Sequence, residues 1–197
     1  LTSEYIYGDT AVSGQKANII YGVKTNGIED LRYTYDELCR LKARTLETTT
    51  PYVTQYSYLE GEGIGTTTTL VKTVKNGNDT LEYSYDANGN ITSVKKNNVV
   101  IESYTYDSLN QLTSATYGGD TYAYTYDNGG NILSVTKNGE TIKTYGYNYT
   151  YWKDQLTDYN GQTITCDNLG NPKKYRDGYN FTWTNGRQLV TVTNGTN

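Results

Sequence analysis

The chain contains no histidine and no methionine, only two cysteines, two prolines and two tryptophans, and a single phenylalanine. Without histidine, the usual zinc-ligand spacings and any Cys–His nucleophile pair are excluded. Cys39 and Cys166 stand 127 positions apart, each far from another thiol, which is little ground for a disulfide. No apolar run approaches the roughly 18 residues that a membrane-spanning helix needs. No basic run exists either. With 17 Lys and Arg against 21 Asp and Glu, the net charge is −4, and nothing is available to neutralise a row of phosphates. Nucleic acid is therefore not an expected partner. The absence of methionine extends to the first residue, and no leader peptide is visible. We expect a segment of a longer chain, whose compartment is not written at its own N-terminus.

Aliphatic side chains are also scarce. Leu, Ile, Val and Phe together number 36 of 197 residues, about 18%, a level that accompanies disorder when net charge is high. Here net charge is small and 23 tyrosines supply the missing apolar area, each a large ring with a polar tip. The composition predicts an ordered protein with partly polar buried faces.

What the sequence does have is repetition. "YSYDANGNITSV" (Tyr83–Val94) returns as "YTYDSLNQLTSA" (Tyr104–Ala115) and "YTYDNGGNILSV" (Tyr124–Val135), and an earlier copy reads "YTYDELCRLKAR" (Tyr33–Arg44). Weaker copies include "YSYLEG" (Tyr56–Gly61), "YNYTYWKDQLTDY" (Tyr147–Tyr159), "ITCDNLGNPKKY" (Ile164–Tyr175) and "FTWTNGRQL" (Phe181–Leu189). Within a copy, Leu81, Tyr83 and Tyr85 alternate with Glu82 and Ser84, and Tyr122, Tyr124 and Tyr126 alternate with Thr121, Ala123 and Thr125. That period of two predicts strands. A turn follows, opened by Asp36, Asp86, Asp107, Asp127 and Asp167, whose carboxylates can accept backbone N–H groups two residues on. Gly89, Gly130 and Gly170 sit where a positive φ is expected, Asn110 tolerates the same region, and Cys39 is the odd substitution.

Between copies lies a second turn type. Asn26-Gly27, Asn76-Gly77, Asn138-Gly139, Asn160-Gly161, Asp177-Gly178 and Asn185-Gly186 are dipeptides of two-residue hairpin loops, and Asn97-Asn98 and Gly118-Gly119 fill the same role. Alternating the two turns predicts an all-β antiparallel meander of about 14 to 17 short strands. The helical periodicity of Asp36–Glu47 is overridden by its alignment with the other copies. After each Asp turn the apolar residues stand three apart, as in Ile91 and Val94 or Ile132 and Val135. Either a bulge intervenes or both faces are partly apolar. "GEGIGTTTT" (Gly61–Thr69) is the candidate mobile loop. Residues 1–29 are expected as irregular strands, with "YIYGD" (Tyr5–Asp9) as a worn copy, and residues 30–197 as the repeat array.

The unit Tyr-x-Tyr-Asp-x-x-Gly-Asn/Arg-Leu/Ile, carried by Tyr83, Tyr85, Asp86, Gly89, Asn90 and Ile91 and their equivalents at 33–41, 104–112 and 124–132, resembles the YD repeat of the rearrangement-hotspot (Rhs) family. Weaker copies extend the likeness over about residues 30–190. The resemblance implies a curved or spiralling sheet of YD hairpins, part of a hollow β-shell. Family members are large secreted or surface polymorphic toxins, insecticidal toxin-complex subunits and the animal teneurins. The partners so implied are the remainder of the parent YD-repeat chain and an enclosed toxin polypeptide. The family's self-cleavage motif and variable toxin domain have no counterpart here, so neither activity is carried over, and no enzyme, cofactor or metal is expected.

Two sharper readings compete with turn-making and packing. Rows of tyrosine (Tyr83, Tyr85, Tyr104, Tyr106, Tyr122, Tyr124 and Tyr126) could face a carbohydrate, whose rings stack on aromatic faces. Cross-strand packing of those same rings is the plainer reading, at about 0.2–1 kcal/mol per pair. Asp86-Ala-Asn88-Gly-Asn90 has the look of half a calcium loop, but its Gly is misplaced and no Glu follows at the twelfth position. Turn-making is preferred there as well.

Overall fold

Each Tyr-x-Tyr-Asp copy folds as expected into a strand, a tight Asp turn and a returning strand. In this computed structural model residues 1–195 are described; the expected array is thus followed to 195, and its last two positions lie outside the described residues. Nineteen strands are present among them, more than the 14 to 17 expected, because several short ones close the series. The only helical element described is a 3-10 turn over Arg176–Gly178.

The first fifteen strands hydrogen-bond in chain order and the last four in a second sheet, with antiparallel pairing between sequential strands. The chain divides into two compact units, 1–103 and 104–197. Strands in the first are β1 (Ser3–Tyr7), β2 (Ile20–Thr25), β3 (Ile28–Tyr35), β4 (Leu41–Leu46), β5 (Tyr52–Glu60), β6 (Thr67–Asn76), β7 (Asp79–Tyr85) and β8 (Ile91–Lys96), with β9 (Val99–Tyr106) beginning there. The second holds β10 (Leu112–Tyr117), β11 (Asp120–Tyr126), β12 (Ile132–Lys137), β13 (Glu140–Gly146), β14 (Asp158–Tyr159) and β15 (Gln162–Thr163). Its other sheet comprises β16 (Thr165–Cys166), β17 (Pro172–Lys174), β18 (Tyr179–Thr184) and β19 (Gln188–Asn194). Cys39 and Cys166 are free thiols.

The three-residue apolar spacing after each Asp turn is a bulge. Tyr85 faces Ile91 while Ser84 faces Ser93, leaving Thr92 as the extra residue. Tyr126 faces Ile132 and Thr125 faces Ser134, with Leu133 extra. The same slip recurs between β3 and β4 and between β18 and β19. One inserted residue re-phases the strand, so an apolar side chain on each side of it reaches the same face. That face carries the interior. Val94, Ala115 and Val135 are buried, at successive spacings of 21 and 20, with Tyr83 opposite Val94 and Tyr124 opposite Val135. The other face is lined by hydroxyl pairs across neighbouring strands: Ser57–Thr73 at 2.6 Å, Thr125–Ser134 at 2.6 Å and Thr182–Thr191 at 2.7 Å.

Not every turn obeys its dipeptide. Asn138-Gly139, Asn160-Gly161, Asn26-Gly27, Asn97-Asn98 and Gly118-Gly119 do form two-residue loops with both φ positive. Asn76, however, pairs with Asp79, so the loop there is Gly77-Asn78. Asp79, which closes that loop, is bonded by Lys96 at 2.8 Å and by Asn97 at 3.0 Å. Asn185-Gly186 lies in a three-residue loop with Arg187, between the paired Thr184 and Gln188. Asp177-Gly178 belongs to the 3-10 turn, closed by the Tyr175 N–H on the Tyr179 carbonyl. The expected loop at Gly61–Thr69 is shorter than its sequence suggested, because Thr67–Thr69 extends β6.

Candidate functional site

The Asp turns are built identically. In each, one carboxylate oxygen accepts the N–H groups two and four residues on: Leu38 and Arg40 for Asp36, Asn88 and Asn90 for Asp86, and Leu109 and Gln111 for Asp107. Gly129 and Asn131 do the same for Asp127, and Leu169 and Asn171 for Asp167, all at 2.8–2.9 Å. The fourth turn residue donates its N–H to the Asp carbonyl and takes a positive φ: Gly89 at 86°, Gly130 at 84°, Gly170 at 82°, Asn110 at 61° and Cys39 at 62°. Asp is repeated because one side chain organises the whole loop.

The second carboxylate oxygen explains the Asn/Arg that follows. Asn90, Asn131 and Asn171 each donate to it from the side-chain amide at 2.8–2.9 Å. These amides, followed by the backbone donors, hold the Asp86, Asp127 and Asp167 carboxyls below their ordinary range. Arg40 takes the position in the first copy, with Nε 2.7 Å from Asp36. Its guanidinium also lies over the Tyr58 ring at 4.1 Å and donates to Thr67 Oγ1 and the Thr68 carbonyl, tying the turn to the next hairpin.

The tyrosines of the repeat do unequal work. All seven candidate ligand-facing rings (Tyr83, Tyr85, Tyr104, Tyr106, Tyr122, Tyr124 and Tyr126) are half-buried. The second Tyr of a pair donates its hydroxyl to a main-chain carbonyl in the preceding hairpin: Tyr35 to Ile20 at 2.6 Å, Tyr58 to Leu41 at 2.9 Å, Tyr85 to Val71 at 2.6 Å and Tyr126 to Leu112 at 2.8 Å. Trp183 continues the series, its indole Nε1 donating to the Pro172 carbonyl at 2.7 Å. Four of these acceptors are paired with the previous copy's second position: Tyr7 faces Ile20, Tyr35 faces Leu41, Tyr58 faces Val71 and Cys166 faces Pro172. The result is a relay in which each hairpin hands a donor back to the one before. Partial burial pushes the phenols of Tyr35, Tyr58, Tyr85 and Tyr126 above their usual value.

At the other end of the strands a second clasp operates that the dipeptide reading missed. Loop asparagines accept a backbone N–H from the preceding hairpin through their side-chain carbonyl: Asn97 from Thr80, Asn138 from Thr121 and Asn160 from Thr144, at 2.7–2.8 Å. Asn97 and Asn138 also donate to Asp79 and Asp120, each of which bears a lysine, Lys96 at 2.8 Å and Lys137 at 2.7 Å. The identical spacing of Asp79 to Lys96-Asn97 and of Asp120 to Lys137-Asn138 was the available signal.

Among the described residues, no three of His, Cys, Asp and Glu gather as a metal-binding group. Cys166 lines a cavity of about 250 Å³ with Tyr149, Gln155 and Ile164, and burial and the nearby Asp167 push its thiol up, away from the reactive thiolate.

The RHS Repeat family model matches residues 106–142. No curated protein matches the sequence. Among solved structures, the crystal structure of TcdB2-TccC3-Cdc42 shares the fold with a TM-score of 0.70 at 20% identity, over 97% of this chain and 11% of that one. That of TcdB2-TccC3 gives 0.64 at 20% identity over the same shares, and that of TcdB2-TccC3-TEV gives 0.53 at 21% over 83% of this chain and 11% of that one. The chain therefore spans about a tenth of the length of the solved chains it matches. Residues 106–142 thus match the RHS Repeat, and the chain as a whole shares the open antiparallel fold of these structures.

Proposed function

We propose that this chain is a non-enzymatic length of wall from a large secreted or surface protein, one that encloses a polypeptide cargo or displays a binding surface. The observation that carries the reading is the relay from hairpin to hairpin, in which the repeated aromatic side chains use their polar tips to hold neighbouring copies together. A structural segment of RHS-type shell is what that arrangement provides. Residues 30–197 act as the array, and residues 1–29 join it through the pairing of β2 with β3, while the Tyr7–Ile20 pairing of β1 with β2 repeats the bulged register of the later copies. Enclosure, a toxin as cargo and an extracellular location belong to this proposal and draw on the family resemblance.

The test uses the longer chain that carries this segment, with Tyr85→Ala and Tyr126→Ala introduced together to loosen the wall. If the segment encloses a cargo, protease should cut that cargo in the variant and spare it in the parent. Equal cutting in both would overturn enclosure.

A carbohydrate-facing role has one observation in its favour. Tyr117, 44% exposed, stacks on Tyr122 with ring centroids 4.9 Å apart and leaves its outer face open. Titration with soluble glycans, read by Tyr fluorescence in the parent and in Tyr117→Ala, separates the two: a saturable change lost in the variant supports recognition, and no change removes it.

A further inference from the structure

One copy of the repeat lacks the ring that others place against the preceding hairpin. Tyr126 and Cys166 hold the same position, each just before an Asp turn, and they face Ile132 and Pro172 across it in the same way. The segments before them also agree. Gln111-Leu112-Thr113 precedes Tyr126 and Gln155-Leu156-Thr157 precedes Cys166, with identical residues. Register makes the same assignment for Leu156. Asp158 pairs with Gly146 as Ser134 pairs with Thr125, and Leu156 stands two residues before the one as Ile132 does before the other.

In the Tyr126 copy the hydroxyl reaches the Leu112 carbonyl at 2.8 Å. A thiol ends one atom beyond Cβ, far short of a phenol hydroxyl, and the Cys166 thiol is bonded instead to the Gln155 side chain. Among the described residues no donor reaches the Leu156 carbonyl.

The empty space follows the same substitution. Beside Tyr126 lies a hollow lined by Gln111, Thr113 and Asp127, and it does not reach Leu112. Its counterpart beside Cys166 is lined by the equivalent Gln155, Thr157 and Asp167 and does extend to Leu156. That cavity measures about 250 Å³ and takes in Ile164, which is buried, and the partly open ring of Tyr149. Apolar cavities of about 150 Å³ take up benzene, so a ring has room here. A purely apolar ring would fill the space and leave the carbonyl bare. A phenol fills it and supplies the missing donor, which restores the free energy an unmet, partly buried acceptor forfeits.

We propose that the cavity beside Cys166 is a binding site for a phenol, whose ring takes the place that tyrosine holds in the sister copies and whose hydroxyl donates to the Leu156 carbonyl. The chain's own repeat is the template for the ligand. Tyr35, Tyr58, Tyr85 and Tyr126 each make, from within the chain, the bond that the ligand makes here. The site depends on two neighbouring hairpins alone and stands or falls apart from cargo enclosure.

The experiment titrates the 197-residue chain with p-cresol, which is the tyrosine side chain without its backbone, and follows melting temperature and amide NMR shifts. p-Cresol is expected to raise the melting temperature saturably and to shift the amides of residues 155–157 and 164–168. Its methyl ether, which keeps the ring and the oxygen but has no proton to donate, should bind about tenfold more weakly. Cys166→Tyr supplies the ring covalently; it should melt above the parent and no longer respond to p-cresol. N-acetyltyrosinamide distinguishes the source: binding as strong as that of p-cresol admits a tyrosine of another polypeptide, and binding of p-cresol alone restricts the site to free phenols. Absence of a saturable response in the parent, or shifts confined to other amides, would overturn the proposal without recourse to any variant. So would a methyl ether that binds as tightly as p-cresol, a Cys166→Tyr chain that responds like the parent, or one that melts below it.

Discussion

Replacing Tyr126 by Phe isolates a single link of the relay. The ring stays, so buried apolar area is unchanged, and only the hydroxyl 2.8 Å from the Leu112 carbonyl is lost. A buried polar group left without its partner costs about 1–3 kcal/mol. This pair is partly buried, so the low end of that range applies, about 1–1.5 kcal/mol. For a chain of this length, 1 kcal/mol moves the melting temperature by about 2–4 °C, which predicts a fall of about 2–6 °C. Tyr124→Phe is the matched control, one ring earlier in the same strand, with no hydrogen-bond partner to its hydroxyl among the described residues. It should leave the melting temperature within about 1 °C of the parent, as surface changes of a few tenths of a kcal/mol do. Thermal melts followed by circular dichroism measure both, and hydrogen exchange at the amides of β10 and β11 localises the loss. Because stability in a repeat array is close to a sum of neighbour terms, Tyr85→Phe, which frees the Val71 carbonyl instead, should add to Tyr126→Phe within about 0.5 kcal/mol. If Tyr126→Phe melts with Tyr124→Phe, the hydroxyl relay does not hold the hairpins together and the reasoning fails.

Two further outcomes follow from the turns. Gly130→Val forces a β-branched residue to φ 84°, at a cost of about 1–3 kcal/mol, and its new Cβ meets only the flexible end of Gln111. Gly170→Val suffers the same backbone strain and also strikes the Trp152 ring at 2.7 Å, so it should melt distinctly lower than Gly130→Val; equal melting temperatures would refute the packing of Trp152 on that turn. The second concerns acid. Asp86, Asp127 and Asp167 are held below the ordinary carboxyl value of 3.8 by the amides of Asn90, Asn131 and Asn171, so their contribution is complete above that value. It is lost as pH falls through 3.8 toward the lower folded values. With no histidine to titrate, the urea midpoint should be level from about pH 5 to 8 and drop below about pH 4, with a shallower drop in Asp86→Asn. A midpoint that rises in acid would contradict the turn geometry.

The repeat, its turns and the all-β meander were legible because they depend on side-chain identity at short range. Asp at the first turn position and Gly or Asn at the fourth announce a backbone that few other residues accept, and Cys39, the odd residue at that position, takes it too, at a φ of 62°. The register was less legible. Whether Ile91 and Val94 shared a face depended on where the strand slipped, and a bulge is a property of the pairing between two segments. Asn76-Gly77 misled for the same reason: Asn76 pairs with Asp79, and which residues are left to form a loop depends on the pairing of two strands. The relay left the faintest trace. Its donors are visible as four tyrosines and Trp183, but its acceptors are main-chain carbonyls of Ile20, Leu41, Val71, Leu112 and Pro172, which share no side-chain chemistry.

That anonymity of the acceptor has an evolutionary consequence. A bond to a side chain would oblige each hairpin to remember its predecessor, and the two would have to change together. A bond to a carbonyl asks nothing of the predecessor except that it be a strand in register. Hairpins joined this way are interchangeable: one can be duplicated, deleted or moved along the gene and still find a place for its hydroxyl. The predecessor's side chain meanwhile drifts freely, from Leu to Val to Pro.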